Sequence, residues 1–355
     1  MHKFIFLVGA ISSLLFLSCN KAPATISAST DFSTLEQSVI TDFTNNIALN
    51  AYLQLSVNAT QLNTALLNLS NNSTDANLLA AQTAWKNMRA VWEQSESHLF
   101  GPVEDNDYDP NMDTWPTDYV QMDSVLSSNN ALTVQDIQGF TLSLRGFHPI
   151  EYIIFGEHGS RTAAELNSRQ KTYMISLSAD INTSCNDLYL SWASAPVNFA
   201  QQVITAGNGS TKYAKRQELL LAITEGMAGI CEEVGEGKIQ EPFDARNPAI
   251  VESPYSGNST ADFKNNIIGI SNVYMGLNGG KGLKDLVAAK NKSLDNTIQA
   301  QITAAINSFD NITLPFEEAI LNQRVQVQQT MDALAILKET IETQLRPFIV
   351  QYITD

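Results

Sequence analysis

An all-α fold is predicted by three features of the 355-residue chain. Apolar residues recur with the 3.6-residue period of amphipathic helices over most of its length. Alternating patterns bounded by hairpin turns are scarce, which leaves strands little to build on. A hexapeptide also recurs: DFTNNI (Asp42 to Ile47) and DFKNNI (Asp262 to Ile267) differ only at their third residue, and each opens a helical run with a tyrosine further on, Tyr52 and Tyr274. Together with length and helicity, the repeat supports two related helical bundles, residues 31–210 and 211–355, the boundary moving to about 255 if the repeat marks the true start.

Taken in order, the chain opens with MHKFIFLVGAISSLLFLSCNK. Lys3 precedes an apolar run, Phe4 to Leu17, too short to span a bilayer, and Ser18 then meets Cys19. This is the layout of a bacterial lipoprotein signal, so residues 1–18 are expected to be removed and Cys19 to carry lipid. Residues 19–30, rich in Ala, Ser, Thr and Pro, read as a tether. The protein is therefore expected outside the cytoplasm, attached to the outer membrane through its acylated end, on a side the sequence does not choose.

Helices are predicted near 33–69, 75–100, 162–192, 212–237, 260–277, 293–309 and 317–352. The second is the clearest, because Leu78, Trp85, Met88, Trp92 and Leu99 fall on one face. The Pro/Gly/Asp-rich stretches Gly101 to Thr117 and Pro242 to Asn258 read as long loops. GEGK (Gly235 to Lys238) and GGKGLK (Gly279 to Lys284) lack the Walker pattern and a preceding strand, and read as helix C-caps and turns.

Composition narrows the function. A net charge of −16, from 21 Lys plus Arg and 37 Asp plus Glu, argues against binding nucleic acid or anionic lipid. It is compatible with cation capture, and equally with a solvated acidic surface. With Cys19 lipidated, Cys185 and Cys231 are left either to pair or to stay as buried thiols. No CxxC or Cys/His cluster offers a structural zinc site.

Chemistry concentrates in RGFHPIEYIIFGEHG, residues 145 to 159. On a helix His148 and Glu151 share a face, with Arg145 one turn earlier. Imidazole and carboxylate together suit a transition metal, as in di-iron bundles where Glu and His three apart project inward. Pro149 supplies the other reading: with His148 as N-cap, Glu151 becomes the third helical residue of a capping box. In WKNMRAVWEQSE, Arg89, Glu93 and Glu96 form a polar stripe beside the tryptophan face, either a solvated ion pair or carboxylates poised at a partly desolvated cleft. Asp113, in the following NMDTWP, either folds back toward them or serves a turn. His98 and His158 read as surface residues, and Glu225 as a carboxylate on an apolar helix that could face the other bundle.

WEQSESHLFGP, MDTWP, RGFHPIEYIIFG with its G-x-H-x-x-E pattern, and ESPYSGNSTADFKNNIIGISNVYMG together resemble the imelysin family of exported bacterial proteins. The resemblance implies two four-helix bundles related by duplication, with the G-x-H-x-x-E segment near their interface. It implies a link to iron uptake, with an uptake receptor or other envelope protein as partner. It also implies a metal site formed by Glu93, Glu96, Asp113, His148 and Glu151, supported by Gly146 and Trp115 of the same motifs; Arg89 and Arg145 would orient or neutralise the carboxylates while the site is empty. Oxygen-rich ligation with one imidazole suits iron or manganese. The family was first classed as metallopeptidase, but HExxH is missing and His148 has no histidine at i+4. A metal-independent site for a peptide or small ligand is the remaining alternative.

Overall fold

The computed structural model describes residues 31–355. The expected signal peptide, Cys19 and the tether to residue 30 lie outside the described residues. Every regular element among the described residues is helical. Leu49–Asn71, Asp75–Ser95, Phe147–Phe155 and Ser168–Ala193 pack into one group, and Arg216–Glu232, Ser259–Met275, Lys292–Ser308 and Arg324–Thr340 into a second. Phe32–Asp355 cohere as a single unit.

Local sequence explains where the central helix begins and what it buries. Thr74 accepts a hydrogen bond from the Asn77 amide and Asp75 sits in the first turn, satisfying free N–H groups and the helix dipole. Its predicted apolar stripe is buried from Leu78 through Trp92, with Leu99 partly covered. The same helix meets the second group: Ser259–Met275 lies along it, and Arg216–Glu232 packs on the 3₁₀ turn Glu96–His98 that ends it. Two glycines permit this contact. A Cβ on Gly269 would sit 2.2 Å from the Gln94 carbonyl oxygen, and one on Gly226 2.8 Å from that of Ser97. The two groups therefore touch backbone to backbone, and polar side chains on either helix reach across.

Three π turns, Phe43–Ala48, Glu233–Ile239 and Ile341–Leu345, interrupt long helical rods covering 32–71, 216–245 and 324–352. A π turn inserts residues into the 3.6 period and so changes which side chains face inward. The repeated hexapeptide straddles the first of these turns but lies within a regular helix in its second copy; Phe43, Ile47, Phe263 and Ile267 are buried in both.

Some boundaries differ from the sequence expectation. The predicted loop 101–117 contains the short helices Pro102–Asp105, with Pro102 at its first position, and Tyr108–Asp113. Residues 118–145, where periodicity predicts no element, hold Tyr119–Ser127 and Val134–Gln138, the latter with a Thr133/Asp136 capping box. The predicted loop from Pro242 begins inside Gln240–Ala245. GGKGLK leads into a further helix, Leu283–Lys290, whereas GEGK is not a C-cap but part of the second π turn. Cys185 and Cys231 are both free and buried. None of the described helices is long and apolar enough to cross a membrane.

Substituting Gly269→Ala forces a methyl against backbone and should destabilise the chain by about 1–3 kcal/mol in urea unfolding. Gly229→Ala, where an added Cβ meets nothing within 4 Å, should be neutral or stabilising by up to ~1 kcal/mol.

Candidate metal centre

Three chain segments converge on the seam between the helix groups. The helix Phe147–Phe155 starts at Gly146, whose φ of +78° is a conformation glycine adopts without steric cost. A Cβ there would lie 1.9 Å from the Met112 carbonyl oxygen. Gly146 thus lets the 108–113 helix lie on the start of the motif helix, which delivers Asp113 to His148. His148 is the second helical residue and Pro149 the third, where a missing N–H costs nothing. The capping reading is therefore corrected: Gly146, not His148, is the N-cap, and Glu151 is too far along to reach back.

Glu151 instead grips the second half of the chain. Its Oε1 accepts hydrogen bonds from the Tyr255 amide (3.1 Å), the Ser256 amide (2.8 Å) and the Ser256 hydroxyl (2.7 Å). Trp115 donates from its indole N–H to the Val251 carbonyl at 3.0 Å. Both residues fasten the segment that carries Glu252, a carboxylate absent from the sequence-derived set.

Arg89 stands at the centre, fully buried. It bonds Asp113 and Glu93, reaches Glu252 Oε1 at 3.1 Å and lies 3.7 Å from Asp262 Oδ1. Its guanidinium also sits 4.9 Å from the centre of the Phe147 ring, a cation–π contact. Glu93 and Glu96 are buried, not solvated. Asn266 Nδ2 donates to both, at 2.7 Å to Glu93 Oε2, and Lys238 Nζ is 3.4 Å from Glu96. Trp92 donates to Asp113 Oδ2 at 2.7 Å, while Ser253 and Asn258 donate to Asp262 at 2.7 and 2.6 Å. Arg145 pairs elsewhere, with Asp180 (3.0 Å) and Asn111.

Glu252, Asp262, Asn266 and Lys238 join the cluster without having been singled out for it. Asp262 and Asn266 are four apart in DFKNNI, so helical spacing could have flagged them. Glu252 lies in ESPYSG. Nothing local marked Lys238, since GEGK resembles a turn. His98, expected at the surface, is buried among Phe43 and Tyr52, and burial pushes its pKa down to about 3. His158 and Glu225 are exposed, so Glu225 does not face the other bundle.

Electrostatics show which charges the fold holds. Burial works against an ionised Arg89, but Asp113, Asp262, Glu252 and Glu96 reverse this and keep it charged. Burial likewise opposes ionised Asp113, yet Arg89 and His148 hold its carboxyl well below the usual range. For His148 burial lowers the pKa, and contact with Asp113 and Glu151 more than compensates, raising it to about 9. Burial raises Glu96 despite Lys238, and raises Asp262 to about 6 despite Arg89. Removing one partner from such a buried network typically costs ~3–5 kcal/mol, because the survivors are left unpaired.

One feature fits a metal ion better than a purely ionic network. One ligand atom each from Asp113, His148 and Glu252 lies within 4.8 Å of the others. His148 Nε2 is 3.1 Å from Asp113 Oδ1, yet it makes no directed hydrogen bond, and Glu252 Oε2 is also buried without a partner. Such separations match ligands around one ion at ordinary metal–nitrogen and metal–oxygen distances of about 2.0–2.2 Å. Because Arg89 touches Asp113 and Glu252 as well, an ion there would share or take over its role as counter-charge.

The imelysin family model matches residues 48–344. Iron-regulated protein A of Synechococcus elongatus is 27% identical over 343 residues, covering 94% of this chain and 90% of its own. Among solved structures, one described as an iron-regulated protein A precursor from Parabacteroides distasonis superposes with a TM-score of 0.82 at 24% identity, over 92% of this chain and 97% of the other. An imelysin-like protein from Psychrobacter arcticum gives 0.73 at 15% identity, covering 90% and 96%.

The His148 shift gives a pH dependence of known sign. A folded pKa near 9, above the ordinary 6.5, contributes stability that is fully present below pH 6.5 and lost as pH rises through 9. The limb amounts to roughly 3 kcal/mol. Asp262 and Asp109, raised to about 6 and about 7, lose stability in the same direction but finish earlier. Urea midpoints should therefore keep falling between pH 7 and 9 in the native chain, and that limb should be reduced in His148→Gln, any remainder coming from buried Glu96, whose pKa is also raised.

Proposed function

The chain belongs to the imelysin family, and from that premise we propose that it binds a metal ion, iron above others, at the seam between its two helix groups as part of iron acquisition. The observation that carries this is the undirected proximity of His148 Nε2 to Asp113 beside the unpartnered oxygen of Glu252. A buried carboxylate oxygen without a hydrogen-bond partner, on a residue that can share a ligand set with His148 and Asp113, is costly unless something compensates it.

In this proposal Asp113, His148 and Glu252 hold the ion. Glu151 and Trp115 position the segment bearing Glu252, while Glu93 and Glu96 supply surrounding negative charge. A set of carboxylates with one imidazole and no thiolate favours iron or manganese over softer ions. Arg89 neutralises the acids before the ion arrives. The ion is cargo or signal, and the chain's own residues bind it, balance its charge and exclude water. The name of the Synechococcus relative, an iron-regulated protein, agrees with iron as the physiological ion. Acylation of Cys19 would hold the protein at the outer membrane, where a receptor or other envelope protein could supply or receive the ion.

Ligation requires neutral His148, so binding must expel the proton held up to pH about 9. Calorimetric titration of residues 20–355 with Mn²⁺, and anaerobically with Fe²⁺, should give one ion per chain, with affinity rising about tenfold per pH unit between pH 7 and 9. His148→Gln and Glu252→Gln should each bind at least ~10-fold more weakly while remaining helical by circular dichroism. Undiminished binding in both variants would place the ion elsewhere.

A further inference from the structure

The proposed centre is lined by largely inaccessible groups, and Lys238 connects it to solvent. Lys238 Nζ lies 3.0 Å from Glu252, 3.4 Å from Glu96 and 3.1 Å from Glu233. The first two carboxylates are 1% and 3% exposed, whereas Glu233 is 52% exposed and the Lys238 side chain 8%. A single ammonium therefore bridges the interior acids and a carboxylate in solvent. Arg89 has no such outlet: its partners Glu93, Asp113, Glu252 and Asp262 are all buried and Phe147 covers its face.

The backbone under Lys238 is unusual in a corresponding way. Residues Glu233–Ile239 form a π turn within the 216–245 rod, and its sequence EVGEGKI contains two glycines. Glycine lowers helix stability by about 1 kcal/mol per residue relative to alanine. π turns also lack the regular hydrogen-bond ladder of their flanks. Sterics do not demand these glycines, because a Cβ on Gly235 would make ordinary contact with Leu334 at 3.6 Å and one on Gly237 would meet nothing within 4 Å. They loosen the one turn that carries the ammonium.

We propose that Lys238 is the gate of the metal centre: its ammonium sits on the inner carboxylates while no ion is bound, and moves outward to Glu233 when a cation enters. The inference rests on the reading of the Asp113/His148/Glu252 cluster as a metal site. Electrostatics favour the displacement, since a divalent ion bound to Glu252 would share that carboxylate with two cations, Lys238 at 3.0 Å and Arg89 at 3.1 Å from Oε1, and of the two Lys238 is the one already paired with an exposed carboxylate. Glu233 then serves as the outer attraction for an arriving cation and as the docking point for the displaced ammonium. Outward movement of the ammonium offsets one of the two charges the ion brings, so the ion does not cross a region of uncompensated carboxylates.

Two measurements test the gate. Loading of Mn²⁺ is followed by stopped-flow tryptophan fluorescence, Trp92 being hydrogen-bonded to Asp113. Lys238→Met, which keeps an apolar stem of similar reach, should load about tenfold faster or more. The double variant Gly235→Ala/Gly237→Ala should load more slowly than the native chain. In the native chain, acetylation of Lys238 by an N-hydroxysuccinimide ester, read by mass spectrometry, should accelerate severalfold on adding Mn²⁺ while Lys281, half exposed, stays constant. This second readout needs no substitution in the buried cluster. Binding by the native chain with equal loading rates and unchanged acetylation would overturn the gate and leave the metal centre standing. Absence of Mn²⁺ binding in both the native chain and Lys238→Met would overturn the metal reading and the gate with it. Binding by Lys238→Met alone would establish Lys238 as a closed gate.

Discussion

Burial of the Arg89 guanidinium dictates how the two helix groups come together. A fully enclosed guanidinium must be matched by enclosed carboxylates, and those come from distant parts of the chain: Glu93 from its own helix, Asp113 from the end of Tyr108–Asp113, Glu252 from the segment preceding Ser259–Met275, and Asp262 from that helix of the second group. Satisfying one cation thus draws both groups into register. Each acid is further fixed by neutral donors, Trp92 on Asp113, Asn266 on Glu93, and Ser253 with Asn258 on Asp262. Such a network adds little net stability compared with apolar packing, but it penalises any arrangement that leaves a charge alone.

Backbone geometry makes that network reachable. Gly269 and Gly226 allow two helices of the second group to approach residues 94–97, where Cβ atoms would have kept them apart. Gly146 allows the carbonyl of Met112 to lie against the start of the motif helix, so that Asp113 faces His148. The second π turn carries Lys238, whose buried ammonium lies against Glu96 and Glu252. Glycine and irregular helix therefore do for this centre what cysteine clusters do for structural zinc: they fix donor positions that helical periodicity alone would not give.

Much of this was legible from sequence, for identifiable reasons. The tryptophan stripe of the 75–95 helix and the pairing of Arg89 with Glu93 follow from i, i+4 spacing, and the motif glycine, histidine and glutamate all prove to be at the seam. Local spacing could not reveal partners supplied across the seam. Glu252 lies between a turn and a helix in a stretch that reads as loop, and Lys238 sits in a π turn that no 3.6-residue pattern describes. Glu151 shows the opposite limit: the residue was identified, but its carboxylate holds the backbone of Tyr255 and Ser256 in place. Arg145 was drawn toward the site by its position one turn before His148, and in space Asp180 claims it.

On our proposal the charge-balanced seam accommodates an ion among His148, Asp113 and Glu252. Anomalous diffraction from crystals of residues 20–355 grown with Mn²⁺ tests it most directly. One strong peak should lie within coordination distance of His148 Nε2, an Asp113 oxygen and the presently unpartnered Glu252 Oε2, with Arg89 drawn back toward Glu93. No peak at the seam in Mn²⁺-saturated crystals, with Arg89 still bonded to Asp113 and Glu252, would contradict it and leave the cluster as the ionic joint that holds the two helix groups together.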